Sequence, residues 1–165
     1  MIRPAVAAFD PTRDLVLERV VAVPPARVWR AWTEPAQVRQ WFVPAPWTIA
    51  ECEIDLRPGG VFRTVMRAPT GDLHTTVGCY LDVVPEQRLV WTTALGPGFR
   101  PEPRRGPVPT ITAIIALAPA GAGTRYTATA MHDDPASAAR HAALGFADGW
   151  GAVLDQLLAL AVGDP

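Results

Sequence analysis

The run LVLERVVAV (15–23) is dense in β-branched residues and stops at Pro24-Pro25, which cannot continue a strand ladder, so it predicts a first strand. Behind it, PARVWRAW places Val28, Trp29 and Trp32 at helical spacing, with proline suited to a first helical turn. Thr33-Glu34-Pro35 interrupts that helix, and AQVRQWF reopens a second, with Val38, Trp41 and Phe42 on one side. TIAECEIDL, VFRTVMR and LHTTVGCYLDVV then read as strands, separated by the turn signals Pro58-Gly59-Gly60 and Pro69-Thr70-Gly71-Asp72. After a turn at Pro85–Arg88 come LVWTTAL, TITAIIALA and TRYTATAMH, the last two joined at Gly121-Ala122-Gly123. Seven strands in an antiparallel meander are expected.

Two segments stand apart from this alternation. Residues 96–109 (GPGFRPEPRRGPVP) hold five prolines and three glycines, which argues against regular structure and for a long mobile connection. From Pro135 to Ala161 the apolar residues recur at helical spacing: Leu144, Phe146, Ala147, Trp150, Val153, Leu154, Leu157, Leu158 and Ala161 make one wide stripe, with His141, Asp148, Asp155 and Gln156 largely off it. A single long C-terminal helix is expected, and the sheet is the surface large enough to bury it. Residues 1–14 carry two prolines and no clear period and read as an N-terminal arm; residues 15–161 read as one domain. The class is α+β, with element order β-α-α-β6-α.

A curved sheet gripping one helix encloses space that a helix about 10 Å across cannot fill. Alternation selects its lining. Arg63 and Arg67 share a wet face, so Phe62, Thr64 and Met66 point inward; Arg125 marks the wet face of the last strand, which sends Tyr126, Ala128, Ala130 and His132 inward. Tyr80, Trp91 and Thr93 complete the strand candidates, and Phe146, Trp150 and Leu154 come from the helix stripe. Small residues on the strand floor, Ala113, Ala116, Ala128 and Ala130, leave volume or admit a close helix. His132 is expected at the rim, as an acid/base or orienting donor, or as an inter-element hydrogen bond. Six tryptophans are present, four of them around the short helices; they serve as core or as cavity wall.

Composition narrows the function classes. The 165 residues include 49% hydrophobic and 19% charged, a globular balance. A formal charge of −1 provides no field for nucleic acid or an anionic membrane, and no run is long and apolar enough to span one, so the cytoplasm is the expected location. All 15 basic residues are arginine, as in chains from GC-rich bacterial genomes. Cys52 and Cys79 lie on separate strands without metal spacing and read as buried free thiols; His74, His132 and His141 are scattered, and no metal or cofactor is expected. No nucleophile elbow, Walker loop or dinucleotide fingerprint occurs. Asp55 and Arg57, within DLRPGG, read as fastenings of a turn.

Five segments taken in series carry a resemblance: VWRAWTEPAQVRQWF (28–42), DLRPGGVFR (55–63), TGDLH (70–74), GCYLDVVPEQRLVWT (78–92) and GFADGWGAVLDQL (145–157). Together they resemble the START/SRPBCC superfamily, in its branch of homologues of the heat-shock-protein-90 ATPase activator, over about residues 15–161. The resemblance implies a helix-grip fold with a deep hydrophobic cavity, in a superfamily that binds lipids, sterols, polyketides or flavonoid-like compounds. Three functions follow as expectations: non-catalytic binding of an apolar small molecule; a cyclase or dehydratase using His132 and Tyr80; and a chaperone-interaction module, disfavoured because eukaryotic activators carry a further N-terminal domain. The binding protein is the leading reading; the sequence leaves catalytic residues unassigned and a homodimer open.

Overall fold

The computed structural model describes residues 6–163 except Arg105; residues 1–5 of the expected arm lie outside the described residues. Strand β1 (Asp14–Val21) is followed by α1 (Pro25–Thr33) and α2 (Pro35–Trp41), each opening on a proline. Strands β2 (Thr48–Ile54), β3 (Val61–Arg67), β4 (Leu73–Val84) and β5 (Arg88–Thr92) form successive hairpins. Two short strands, β6 (Leu95–Gly96) and β7 (Arg100–Pro101), precede β8 (Thr112–Ala120) and β9 (Gly123–Met131). Helices α3 (Pro135–Ala143) and α4 (Phe146–Gly163) end the chain.

The main sheet has seven strands in the order β1-β9-β8-β5-β4-β3-β2, every neighbour antiparallel. The return of β9 to pair with β1, with Leu17 opposite Ala128, makes β1 and β2 the two edges. Register shifts between Ile49 and Glu51 and between Tyr80 and Asp82 mark irregularities that bend their strands. The helices cover one face, and α4 packs on α1, α2 and β1. Between them lies a core that includes Val28, Trp32, Trp41, Leu89, Ile115, Ala128 and Leu157. Ala113, Ala128 and Ala130 are fully buried, so the small strand floor admits close packing as well as space.

Two expectations are corrected. The C-terminal segment is two helices. Asp134 caps α3 by accepting from the Ser137 N–H at 2.7 Å, and the helix ends where Gly145 takes φ +98°. The left-handed conformation, which glycine adopts without a Cβ penalty, stops α3 after nine residues and re-aims the chain. Leu144, assigned to the continuous stripe, is therefore 55% exposed, and His141, assigned off it, is buried. The proline-rich segment is also more regular than its composition indicates: Pro97–Phe99 forms a 3-10 turn between β6 and β7, held by the Gly98 N–H donating to Gly59 O at 2.8 Å. Proline costs little there because β6 and β7 pair over two residues.

A polar clasp fastens α4 to the loop after α2. The Gln156 amide donates to Trp41 O at 3.0 Å and to Val43 O at 2.7 Å, and its oxygen accepts from the Ala45 N–H at 3.0 Å. All three amide contacts satisfy backbone groups that no ladder reaches, which explains a polar residue on a half-buried seam.

Candidate functional site

A cavity of about 370 Å³ lies between the concave face of the sheet and α4. Phe62, Thr64 and Met66 of β3, Trp91 of β5 and Tyr126 of β9 form its floor; Phe146, Trp150 and Val153 of α4 form its roof. Trp32, Trp41 and Phe42 close one side, the first two in edge-to-face contact at 4.8 Å. Val108, Pro109 and Leu144 stand at the wall where the proline-rich segment and the α3–α4 junction meet. Four of the six tryptophans line the space.

Of the eleven residues assigned from sequence, Phe62, Thr64, Met66, Trp91, Thr93, Tyr126, Phe146 and Trp150 are on this wall. Tyr80, Leu154 and His132 are not. Tyr80 is fully buried behind Phe62, its ring stacked on that ring at 5.4 Å and 6°, and its hydroxyl has no hydrogen-bond partner among the described residues. Burial pushes its phenol far above the usual range. Leu154 faces inward as its helical position requires but is packed solid, 1% exposed. His132 lies on the far side of His141, against a separate, more polar hollow that includes Asp10 and Arg13. The structure thus does not bring Tyr80 and His132 to a common cavity wall, which removes the geometry the cyclase or dehydratase assignment needs.

His141 takes the place assigned to His132. Its ring lines the cavity, edge-on to Phe146 at 5.3 Å and 6.2 Å from Trp150. Its Nδ1 lies 2.8 Å from His132 Nε2, and His132 Nδ1 lies 2.8 Å from Arg13 O. A sequence signal was present: Ser137 and Ala138 lie four and three residues before His141, on one helix face, and all three are buried.

At the cavity floor, Trp32 Nε1 donates to the Tyr126 hydroxyl at 3.2 Å, while burial raises the Tyr126 phenol far above its usual range. Tyr126 and His141 are the only titratable side chains on the wall among the described residues, and no carboxylate or guanidinium joins them. No group of three metal-ligating side chains occurs among the described residues. Cys52 is half-buried and Cys79 buried, both free; burial holds the Cys52 thiol up at about 11, so it stays protonated near neutrality.

Burial first, and the neighbouring His132 second, lower His141 from its ordinary 6.5 to about 4. Between these values the unfolded chain binds the extra proton and the folded chain does not, so acid favours unfolding. The stabilisation linked to this group is complete above pH 6.5 and is lost as pH falls toward 4. Urea midpoints of the wild type are therefore expected to decline more steeply over that window than those of His141→Leu. Parallel profiles would show that His141 titrates alike in both states.

Comparison with known proteins bears on the fold and the family. A solved structure from Nitrosomonas europaea is 48% identical, with a TM-score of 0.87, covering 92% of this chain and 96% of its own. One from Chromobacterium violaceum is 26% identical, with a TM-score of 0.69, covering 92% and 99%. One from Mycobacterium smegmatis, at 21% identity, TM-score 0.76 and 93% of each chain, shares the fold. No curated protein matches the sequence. The family model described as Activator of Hsp90 ATPase homolog 1-like protein matches residues 22–161. With that match over the helices and every sheet strand after β1, the chain belongs to this family, within the START/SRPBCC superfamily.

Proposed function

We propose that the protein binds an apolar small molecule bearing an aromatic or comparably flat body, in the cavity between sheet and α4, without itself transforming it. The observation that carries this reading is the cavity: about 370 Å³, inside the range of small-molecule sites, walled by aromatic rings from both layers. Apolar enclosure supplies affinity because each buried carbon leaves water, and flat aromatic walls favour flat guests. The polar groups are few, chiefly threonine hydroxyls, Tyr126 and His141, a pattern that orients a ligand. A nucleophile beside a base is absent from the wall among the described residues.

Because Trp32, Trp41, Trp91 and Trp150 line the cavity, a bound aromatic guest must perturb tryptophan emission. Titration with naphthalene, a flavone and a medium-chain fatty acid is expected to give saturable quenching by at least the first two. Native mass spectrometry of freshly purified protein is expected to show a retained adduct. Absence of both, across all three probes, would end the binding reading.

A further inference from the structure

The two buried histidines carry information beyond an apolar cavity. Arg13 O can only accept, and it takes both the His132 backbone N–H at 3.1 Å and the contact from His132 Nδ1 at 2.8 Å. His132 Nδ1 must therefore carry a proton. In a neutral ring the other nitrogen, Nε2, is then an acceptor, and its partner at 2.8 Å, His141 Nδ1, must donate. Neutral His141 is left with a bare lone pair on Nε2. That atom has no hydrogen-bond partner among the described residues, and its ring faces the cavity. A backbone carbonyl thus fixes the tautomer of a ring two links away.

We propose that His141 Nε2 is a preset hydrogen-bond acceptor for a ligand hydroxyl, and that the ligand is an aromatic molecule carrying a neutral acidic O–H, a phenol or an enol. The proposal rests on the cavity-binding reading and names its chemistry. The charge pattern of the wall selects among donors. A carboxylate would bring a negative charge against a lone pair with no guanidinium on the described wall to offset it, and an ammonium would find no carboxylate there. A neutral O–H meets neither penalty. Phenols and enols donate more strongly than alkanols, and the Phe146 and Trp150 rings, 4.7 Å apart beside His141, suit an aromatic carrier. The lowered proton affinity of His141 keeps the acceptor neutral above about pH 4. His132 is the positioning residue: it holds the tautomer and touches no ligand.

The test compares 1-naphthol with 1-methoxynaphthalene, which share the ring system and differ in the donor. Wild type is expected to bind 1-naphthol about tenfold more tightly, the effect of one hydrogen bond to an acceptor that the protein itself leaves unpartnered. In His141→Leu the two affinities should converge, with methoxynaphthalene binding retained. Imidazole ¹⁵N spectra of the wild type, which need no variant, should show both rings as Nδ1–H tautomers and a shift of His141 Nε2 alone on adding 1-naphthol. Equal wild-type affinities, or a His141 ring protonated at Nε2, would overturn the acceptor while leaving the cavity reading intact. If neither probe bound, both would fall.

Discussion

Gly60→Ala is expected to destabilise the fold by about 3 kcal/mol or more, the range of severe backbone conflicts. A Cβ at residue 60 would stand 2.0 Å from Asp55 O and 2.9 Å from Arg57 O, and both atoms are backbone, so no side chain can swing aside. Nor can the turn open easily. The Gly60 N–H donates to Arg57 O at 2.8 Å, Gly60 O accepts from the Tyr80 N–H at 3.0 Å, and the Gly59 N–H donates to Tyr80 O at 2.8 Å. Moving residue 60 outward breaks bonds to β4 as well as the turn. By contrast, Asp55→Ala removes an ion pair with Arg57 whose side chains are 44% and 68% exposed, and is expected to cost below about 1 kcal/mol. Urea denaturation of both variants checks the contrast. A Gly60→Ala protein within about 1 kcal/mol of wild type would show that the turn relaxes freely.

That contrast also reassigns the weight inside the DLRPGG segment. The charged pair draws attention in the sequence because charge is chemistry, yet in the structure it lies on the outside of a turn whose shape is set by a missing side chain. Steric exclusion at Gly60 depends on a carbonyl five residues away, and no local propensity encodes that distance.

The strands were legible because alternation is a two-residue rule with one buried face. Arg63 and Arg67 fixed the parity of β3, and Arg125 that of β9, so Phe62, Thr64, Met66 and Tyr126 could be placed on the cavity floor from three charges. Depth was not legible. Tyr80 and Leu154 have inward parity, but one lies beneath Phe62 and the other is sealed by neighbouring helices, and periodicity carries no term for what stands in front of a side chain. The polar end of the site was lost for a different reason. An apolar stripe of period 3.6 runs through Leu144 and Gly145 without a break, while the chain itself turns there on one left-handed glycine. That turn exposes Leu144 and brings His141 between His132 and the cavity, exchanging the roles that a straight helix would have given them.

The same helix offers a way to separate binding from stability. Gly149 lies within α4 on the cavity wall, and a Cβ added there meets no atom within 4 Å. Alanine is expected to stabilise the protein by up to about 1 kcal/mol, since glycine inside a helix has more backbone freedom to lose. It should leave affinity for naphthalene-sized probes almost unchanged, because one carbon takes little of the space. Gly149→Phe is a different case. Its ring would start from an open position on the cavity wall next to Trp150, and it is expected to take volume that a guest's ring would otherwise fill. Binding of a bicyclic aromatic is expected to fall about a hundredfold, corresponding to loss of the apolar burial that one ring provides. Thermal stability should hold or rise, because the ring fills space without displacing core atoms. Isothermal titration and thermal melts on the same two variants distinguish the outcomes. Loss of binding with an unchanged melt places the ligand under α4; retained binding in Gly149→Phe would place it elsewhere on the molecule.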